Sequence, residues 1–165
     1  MSLLIWNIQS DAAKRSLRVL KDYCHQYKPL ILALVEPKVS GPQAKSISLG
    51  LDFNEWVQVE AIGLSGGIWV FWQSKLGTLT IAHTNLQFVH CVVTGASSPT
   101  WEFIAVYTSP REQYRNLFFS RMLELRKWVA HPWLLAGDFN TFLDEDETIS
   151  SESYMSQRCQ NFKDW

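Results

Sequence analysis

Short apolar runs that end in polar side chains recur along this chain, and they predict its elements. Residues 3–6 (LLIW) lead to Asn7, as expected of a short buried strand delivering an amide at its C-terminal end. Ser10 then offers a helix cap and Asp11 a first-turn carboxylate. Ala13, Leu17, Leu20, Cys24 and Tyr27 follow at spacings of four, three, four and three, the apolar face of a helix that Pro29 stops. Residues 30–35 (LILALV) form a second buried strand ending in Glu36, so strand, helix and strand make a right-handed βαβ unit. Ser40, Gly41, Pro42 and Gln43 resemble a capping box that opens a short helix ending near Gly50.

Between Trp56 and Ala96 the pattern changes to strands without long helices, at residues 56–62, 67–72, 79–83 and 88–94. Ser65-Gly66-Gly67 is a hairpin signal, so this block is expected to be antiparallel. Residues 101–108 alternate Trp101, Phe103, Ala105 and Tyr107 on one face with Glu102, Ile104, Val106 and Thr108 on the other. Ser109, Pro110, Arg111 and Glu112 then supply a cap, a first-turn proline and the glutamate three residues on. Tyr114, Phe118, Met122, Leu125 and Val129 form the expected buried face of that helix, which His131-Pro132 ends. Residues 133–136 predict a strand covered on both faces, broken by Gly137, with Asp138 and Asn140 just past its end. The acidic stretch that follows, with Asp144, Glu145, Asp146 and Glu147, predicts mainly solvated loop.

Composition narrows this picture. The 165 residues suit a single domain, and 47% hydrophobic residues allow a real core. Eight Trp and nine Phe must lie largely inside or in a groove. A net charge of −1 gives no broad basic face, so a site for nucleic acid has to be local. Cys24, Cys91 and Cys159 have no metal-ligand or disulfide spacing, and His25, His83, His90 and His131 have no motif partner. No signal-peptide or membrane-spanning pattern is evident, which points to a reducing intracellular compartment.

Four apolar strands thus end in Asn7, Glu36, Tyr107 and the pair Asp138/Asn140. Strands running the same way would bring those residues to one edge, where α/β proteins build their sites. Carboxylates, amides and a phenol suit a hard cation. Mg²⁺, which takes one or two carboxylates plus water and substrate phosphate, matches this sparse set better than calcium or zinc. Each residue also has a plainer role: Glu36 as an ion-pair partner of Lys38, Tyr107 as a core ring with its hydroxyl at the surface, and Asn7 as a turn residue.

The motifs WN at Trp6-Asn7, LALVEPK from Leu32 to Lys38, SGGIWVFW from Ser65 to Trp72, VYTSP from Val106 to Pro110, the following Arg115, and LLAGDFN from Leu134 to Asn140 come in one order over nearly the whole chain. In this the sequence resembles the endonuclease/exonuclease/phosphatase superfamily, and within it the endonuclease domain of plant LINE-type retrotransposons. The resemblance implies a deoxyribonuclease I-like α/β fold: a four-layer α/β/β/α sandwich of two mixed sheets, the second sheet incomplete. It implies Glu36 as ligand of a catalytic Mg²⁺, with Mn²⁺ as the alternate ion, and Asn7 beside it as ligand or support. Asp138 would orient or activate the attacking water, Asn140 would hold that aspartate and the phosphate, and Tyr107 would contact the scissile phosphate. DNA is the implied substrate and the nucleus the implied location, with no membrane and no obligate protein partner.

The family pattern closes with an aspartate and a Ser-Asp-His segment that this sequence, ending at Trp165, does not contain. The expectation is therefore the N-terminal part of one such domain, marginally stable and little active by itself. A missing positioned acid/base costs about 10² to 10⁴ in rate. The competing expectation is a non-catalytic relic that keeps the fold and a weak metal or nucleic-acid site.

Overall fold

A computed structural model of the chain describes residues 2–9, 14–61, 66–95, 98–144, 147 and 162–165. Ser10, Asp11, Ala13, Ile62, Ser65, Ala96, Glu145, Asp146 and Cys159, on which some expectations rest, lie outside the described residues. The elements are β1 (Leu3–Asn7), α1 (Lys14–Tyr27), β2 (Ile31–Val35), α2 (Gly41–Leu49), β3 (Glu55–Val59), β4 (Ile68–Trp72), a 3-10 turn (Ser74–Leu76), β5 (Thr78–Asn85), β6 (Phe88–Thr94), β7 (Trp101–Tyr107), α3 (Glu112–Leu125) and β8 (Trp133–Asp138).

The strands form two mixed sheets of four, ordered β1-β2-β4-β3 and β5-β6-β7-β8. β1/β2 and β7/β8 are parallel pairs; the other neighbours are antiparallel. The antiparallel middle block is thus split between sheets, β3 and β4 pairing in one and β5 and β6 in the other.

Alternation along each strand builds the layers. Ala33, Val35, Ile68 and Val70 of the first sheet join Val89, Cys91, Phe103 and Ala105 of the second in one core between the sheets. The opposite face of the first sheet, with Leu32, Leu34, Trp69 and Phe71, packs under Leu20 of α1 and Ala44 of α2. Phe88, Ile104 and Val106 on the outside of the second sheet pack under Phe118, Phe119 and Met122 of α3. The result is the expected α/β/β/α sandwich. β2 and β4 are buried at every position because helices cover one face and the facing sheet the other. Each such large aliphatic or aromatic side chain contributes about 1.5–3 kcal/mol of burial.

β8 departs from expectation. It is an edge strand with one neighbour, and Leu134 is 44% exposed, so it is not covered on both faces. Nor does Gly137 break it: the ladder continues through Gly137↔Val106 to Tyr107↔Asp138. β1, also at an edge, is half-buried throughout.

The α3 face also differs. The helix starts at Glu112 with Arg111 in the capping position and no side-chain cap, and Ser109 Oγ instead accepts the Arg111 N–H at 3.1 Å. Its buried residues are Arg115, Phe118, Phe119 and Met122, while Tyr114 is 44% exposed and Val129 lies beyond the helix. The stripe that meets the sheet is centred on Phe118, and Tyr114 falls on its rim. α2 begins after Ser40 without the expected side-chain cap bond, and Gly50 ends it in the right-handed region.

Candidate active site

Parallel pairing carries the C-terminal ends of β1 and β2 together, and likewise those of β7 and β8. Asn7 has the inward parity of Leu3 and Ile5, and Asp138 that of Ala136; all three of those apolar residues pack against the inter-sheet core, as Tyr107 does within it. The two sheets therefore aim these polar groups at one another at the same end of the sandwich. Asn7 Nδ2 donates to Asp138 Oδ2 at 2.7 Å, a bond between residues 131 positions apart.

Asp138 is held on both oxygens, since the Asn140 N–H donates to Oδ1 at 2.8 Å. Asn140 sits at a φ of 47°, a left-handed conformation that asparagine tolerates, and its Nδ2 donates to the Thr108 carbonyl at 2.7 Å. Thr108 is fully buried; its N–H donates to the Asp138 carbonyl at 2.9 Å and its hydroxyl donates to the Phe139 carbonyl. The end of β7 thus extends past Tyr107 to grip the turn after β8. Nothing in the sequence pattern singled out Thr108 beyond its place after Tyr107. Asn7 Oδ1 in turn accepts the Gln9 N–H at 3.1 Å.

Glu36 follows β2 at a φ of 57°, its N–H donating to the Gly67 carbonyl at 3.0 Å. Lys38 Nζ lies 3.2 Å from Glu36 Oε1, so the ion pair set beside the metal role is present. Both side chains keep some contact with water, and a pair of this kind contributes about 0.2–1 kcal/mol. Among the described residues no group of three or more His, Cys, Asp or Glu could hold a metal, so the available donors do not form a closed cage. Glu36 offers one carboxylate and Asn7 Oδ1 one amide oxygen with a lone pair beyond its bond to Gln9. Oxygen donors of this kind are the chemistry that a hard divalent cation takes alongside water.

Tyr107 is 5% exposed and pairs with Asp138 in register, and its N–H donates to the Gln87 carbonyl at 2.9 Å. Asn7, Asp138, Asn140 and Tyr107 are thus assembled at one end of the sandwich, with Glu36 entering from β2 beside β1.

A second polar cluster went unseen in the sequence. Glu102, 4% exposed on β7, bonds His90 Nε2 through Oε2 at 2.6 Å and His131 Nδ1 through Oε1 at 3.0 Å. Two of the histidines without a motif partner therefore share one carboxylate. Burial pushes the Glu102 carboxyl up, but the bonds from His131 and His90, the His90 charge and the Ala130 N–H outweigh it and hold the group below the ordinary glutamate value. The cluster ties the α3–β8 connection to the sheet at the end of β8 opposite Asp138. Burial also pushes the Cys24 thiol up to about 11 and the Cys91 thiol up to about 12, so both stay protonated at neutral pH.

A family model described as the Endonuclease/Exonuclease/phosphatase family matches residues 4–158. No curated protein matches. Among solved structures the chain is similar to the AP endonuclease LMAP from Leishmania major, at 15% identity and a TM-score of 0.74 over 98% of this chain and 64% of that one. It is similar to a 3′ phosphatase, NExo from Neisseria, bound to product DNA hairpin, at 20% identity and a TM-score of 0.67 over 99% and 69%. An AP endonuclease from Archaeoglobus fulgidus aligns at 16% identity and a TM-score of 0.63 over 99% and 70%. At these identities the likeness is one of fold, and the chain spans about two thirds of the length of each.

Proposed function

The chain belongs to the endonuclease/exonuclease/phosphatase family, and on that premise we propose that it carries site residues of a divalent-metal-dependent phosphodiesterase acting on DNA, of the kind found in LINE-type retrotransposons. The observation that carries this reading is the 2.7 Å bond from Asn7 Nδ2 to Asp138 Oδ2, which unites the ends of two parallel strand pairs from different sheets. The LALVEPK and VYTSP motifs favour the retrotransposon type, for which the nucleus is the place of action. The DNA-acting neighbours support a DNA substrate, and no helix among the described residues is long and apolar enough to cross a membrane.

In this reading Glu36 and Asn7 Oδ1 hold the metal ion. When bound, Mg²⁺ or Mn²⁺ supplies charge stabilisation to a phosphoryl oxygen and to the leaving oxygen. Asp138 orients the attacking water through the lone pairs that Asn7 and Asn140 leave open, and takes up its proton. Two donors hold this carboxylate, so little reorganisation is needed when the water attacks. Asn140 fixes the turn that presents Asp138, and Tyr107 lies beside it for contact with the scissile phosphate.

A non-catalytic relic is the second reading, and the Lys38–Glu36 ion pair favours it, because the pair engages the carboxylate that the metal requires. Supercoiled plasmid with Mg²⁺ separates the two. Nicking by the wild type that Glu36→Gln and Asp138→Asn each reduce by at least about 10²-fold supports the hydrolase. Equal nicking by all three proteins means a contaminant and refutes it. Metal binding is read separately by thermal melts, where the midpoint should rise with the logarithm of Mg²⁺ concentration. A rise that Glu36→Gln leaves unchanged removes Glu36 from the metal site.

A further inference from the structure

Beside Tyr107 lies a groove of about 500 Å³ that the catalytic reading leaves unused. Its walls come from Glu60 and Gly66, from Leu86 in the β5–β6 turn, and from Pro110, Arg111 and Tyr114 at the start of α3; the Glu60 carboxylate is engaged through Oε1, which accepts the Gly41 N–H at 3.1 Å. Three features give it a character. The faces it offers are apolar and aromatic: Leu86 is 53% and Tyr114 44% exposed, and the Tyr114 ring stacks on no other ring among the described residues. Arg111 is exposed and makes no ion pair among the described residues.

The third feature is that the groove is built in advance. The Gln87 side chain donates to the Tyr114 carbonyl at 3.0 Å and accepts the Ser109 N–H at 2.7 Å, clamping the β5–β6 turn to the start of α3. The Gln87 carbonyl accepts the Tyr107 N–H, so one residue ties both walls to the strand that carries Tyr107. At Gly66, with a φ of 85°, the backbone comes close enough that an added Cβ would meet the Tyr107 ring at 3.7 Å. A planar group entering beside Tyr107 therefore meets fixed walls, which lowers the cost of ordering it.

We infer that this groove is a subsite for one unpaired nucleotide next to the scissile phosphate, its base stacked on Tyr114 and Leu86 and its phosphate paired with Arg111. The inference rests on the phosphodiesterase reading, because the groove adjoins Tyr107. A paired duplex buries the faces of its bases and would leave Tyr114 and Leu86 without a partner, whereas an overhang or frayed end exposes them. Stacking of this kind tolerates any base. The preferred substrate is thus a junction between duplex and single strand, with little dependence on the overhang sequence. Arg111 is the cation among the groove's lining residues and Glu60 the carboxylate, so attraction of a phosphate there falls to the guanidinium.

The test is a fluorescence-anisotropy titration of the whole chain with a labelled duplex bearing a short single-stranded overhang, against the blunt duplex of the same sequence, in EDTA to prevent turnover. The wild type should bind the overhang DNA more tightly. Tyr114→Ala should weaken that binding by about tenfold and leave the blunt duplex unaffected, while Tyr114→Phe retains the preference. Arg111→Ala should weaken overhang binding and reduce its salt slope by about one. Equal binding of the two DNAs by the wild type overturns the subsite, as does a preference that survives both alanine substitutions. The outcomes also separate the two readings. A Tyr114-dependent preference in a protein that never nicks DNA keeps the subsite and sinks the hydrolase, and nicking without any preference does the reverse.

Discussion

Gly137 is where the site and the fold depend most directly on a missing side chain. It lies in β8 opposite Val106 at a φ of 150°. A Cβ built there would sit far inside the van der Waals contact distance of the Val106 carbonyl oxygen, and 2.8 and 2.9 Å from the Val106 carbonyl carbon and nitrogen. Those atoms are backbone in a central strand, fixed by ladders on both sides, and cannot swing away as a side-chain tip can. Gly137→Ala must therefore pry β8 from β7 or twist the strand to negative φ. The overpacking costs about 1–3 kcal/mol, and a side chain held in this region of φ costs about 1–3 kcal/mol more. A loss of about 2–6 kcal/mol is a large fraction of the about 5–15 kcal/mol that holds a domain together. It should lower the melting temperature by roughly 5–20 °C. Urea titration gives the same quantity from the displaced midpoint at unchanged slope. Because the next residue is Asp138, any residual folded protein should also lose the proposed hydrolysis. A Gly137→Ala protein within about 1 kcal/mol of wild type would refute the reasoning, since a shift that small lies below the strain assigned to the backbone contact alone.

Glu102 carries the acid sensitivity. Its carboxyl is held below the ordinary value, so its stabilisation is full above the unfolded-state value, near 4.5, and is lost as pH falls through the lower folded value. Glu102→Gln should flatten the stability curve in that acid window, measured by denaturation at a series of pH values, and an unchanged acid limb would remove the cluster as its cause. At Asn140 the left-handed backbone and the bond to Thr108 can be separated. Asn140→Gly keeps the conformation and should be more stable than Asn140→Ala by about 1–2 kcal/mol in paired melts; the opposite order would mean that backbone strain does not matter there.

The local pattern by itself determined most of the elements. ILALV was legible as a buried strand and IWVFW as a strand, and the alternation in WEFIAVY assigns Phe103, Ala105 and Tyr107 to one face and Ile104 and Val106 to the other. These follow from spacing along a few residues, because backbone conformation and side-chain direction depend mainly on near neighbours in the chain. The polar residues at the strand ends were legible for the same reason. Only the tertiary structure decided which of them meet. Asn7 and Asp138 are 131 positions apart, and their bond depends on two sheets facing each other in one register. His90, Glu102 and His131 come from two strands and a loop, with no spacing to announce them. Exposure was decided in the same way. The WLLA run is apolar enough for a central strand but lies at an edge, and Tyr114 fits a helical stripe yet falls outside the strip that the sheet covers. Hydrophobicity states what a side chain gains by burial; whether a neighbour arrives to bury it is settled by contacts far away in sequence.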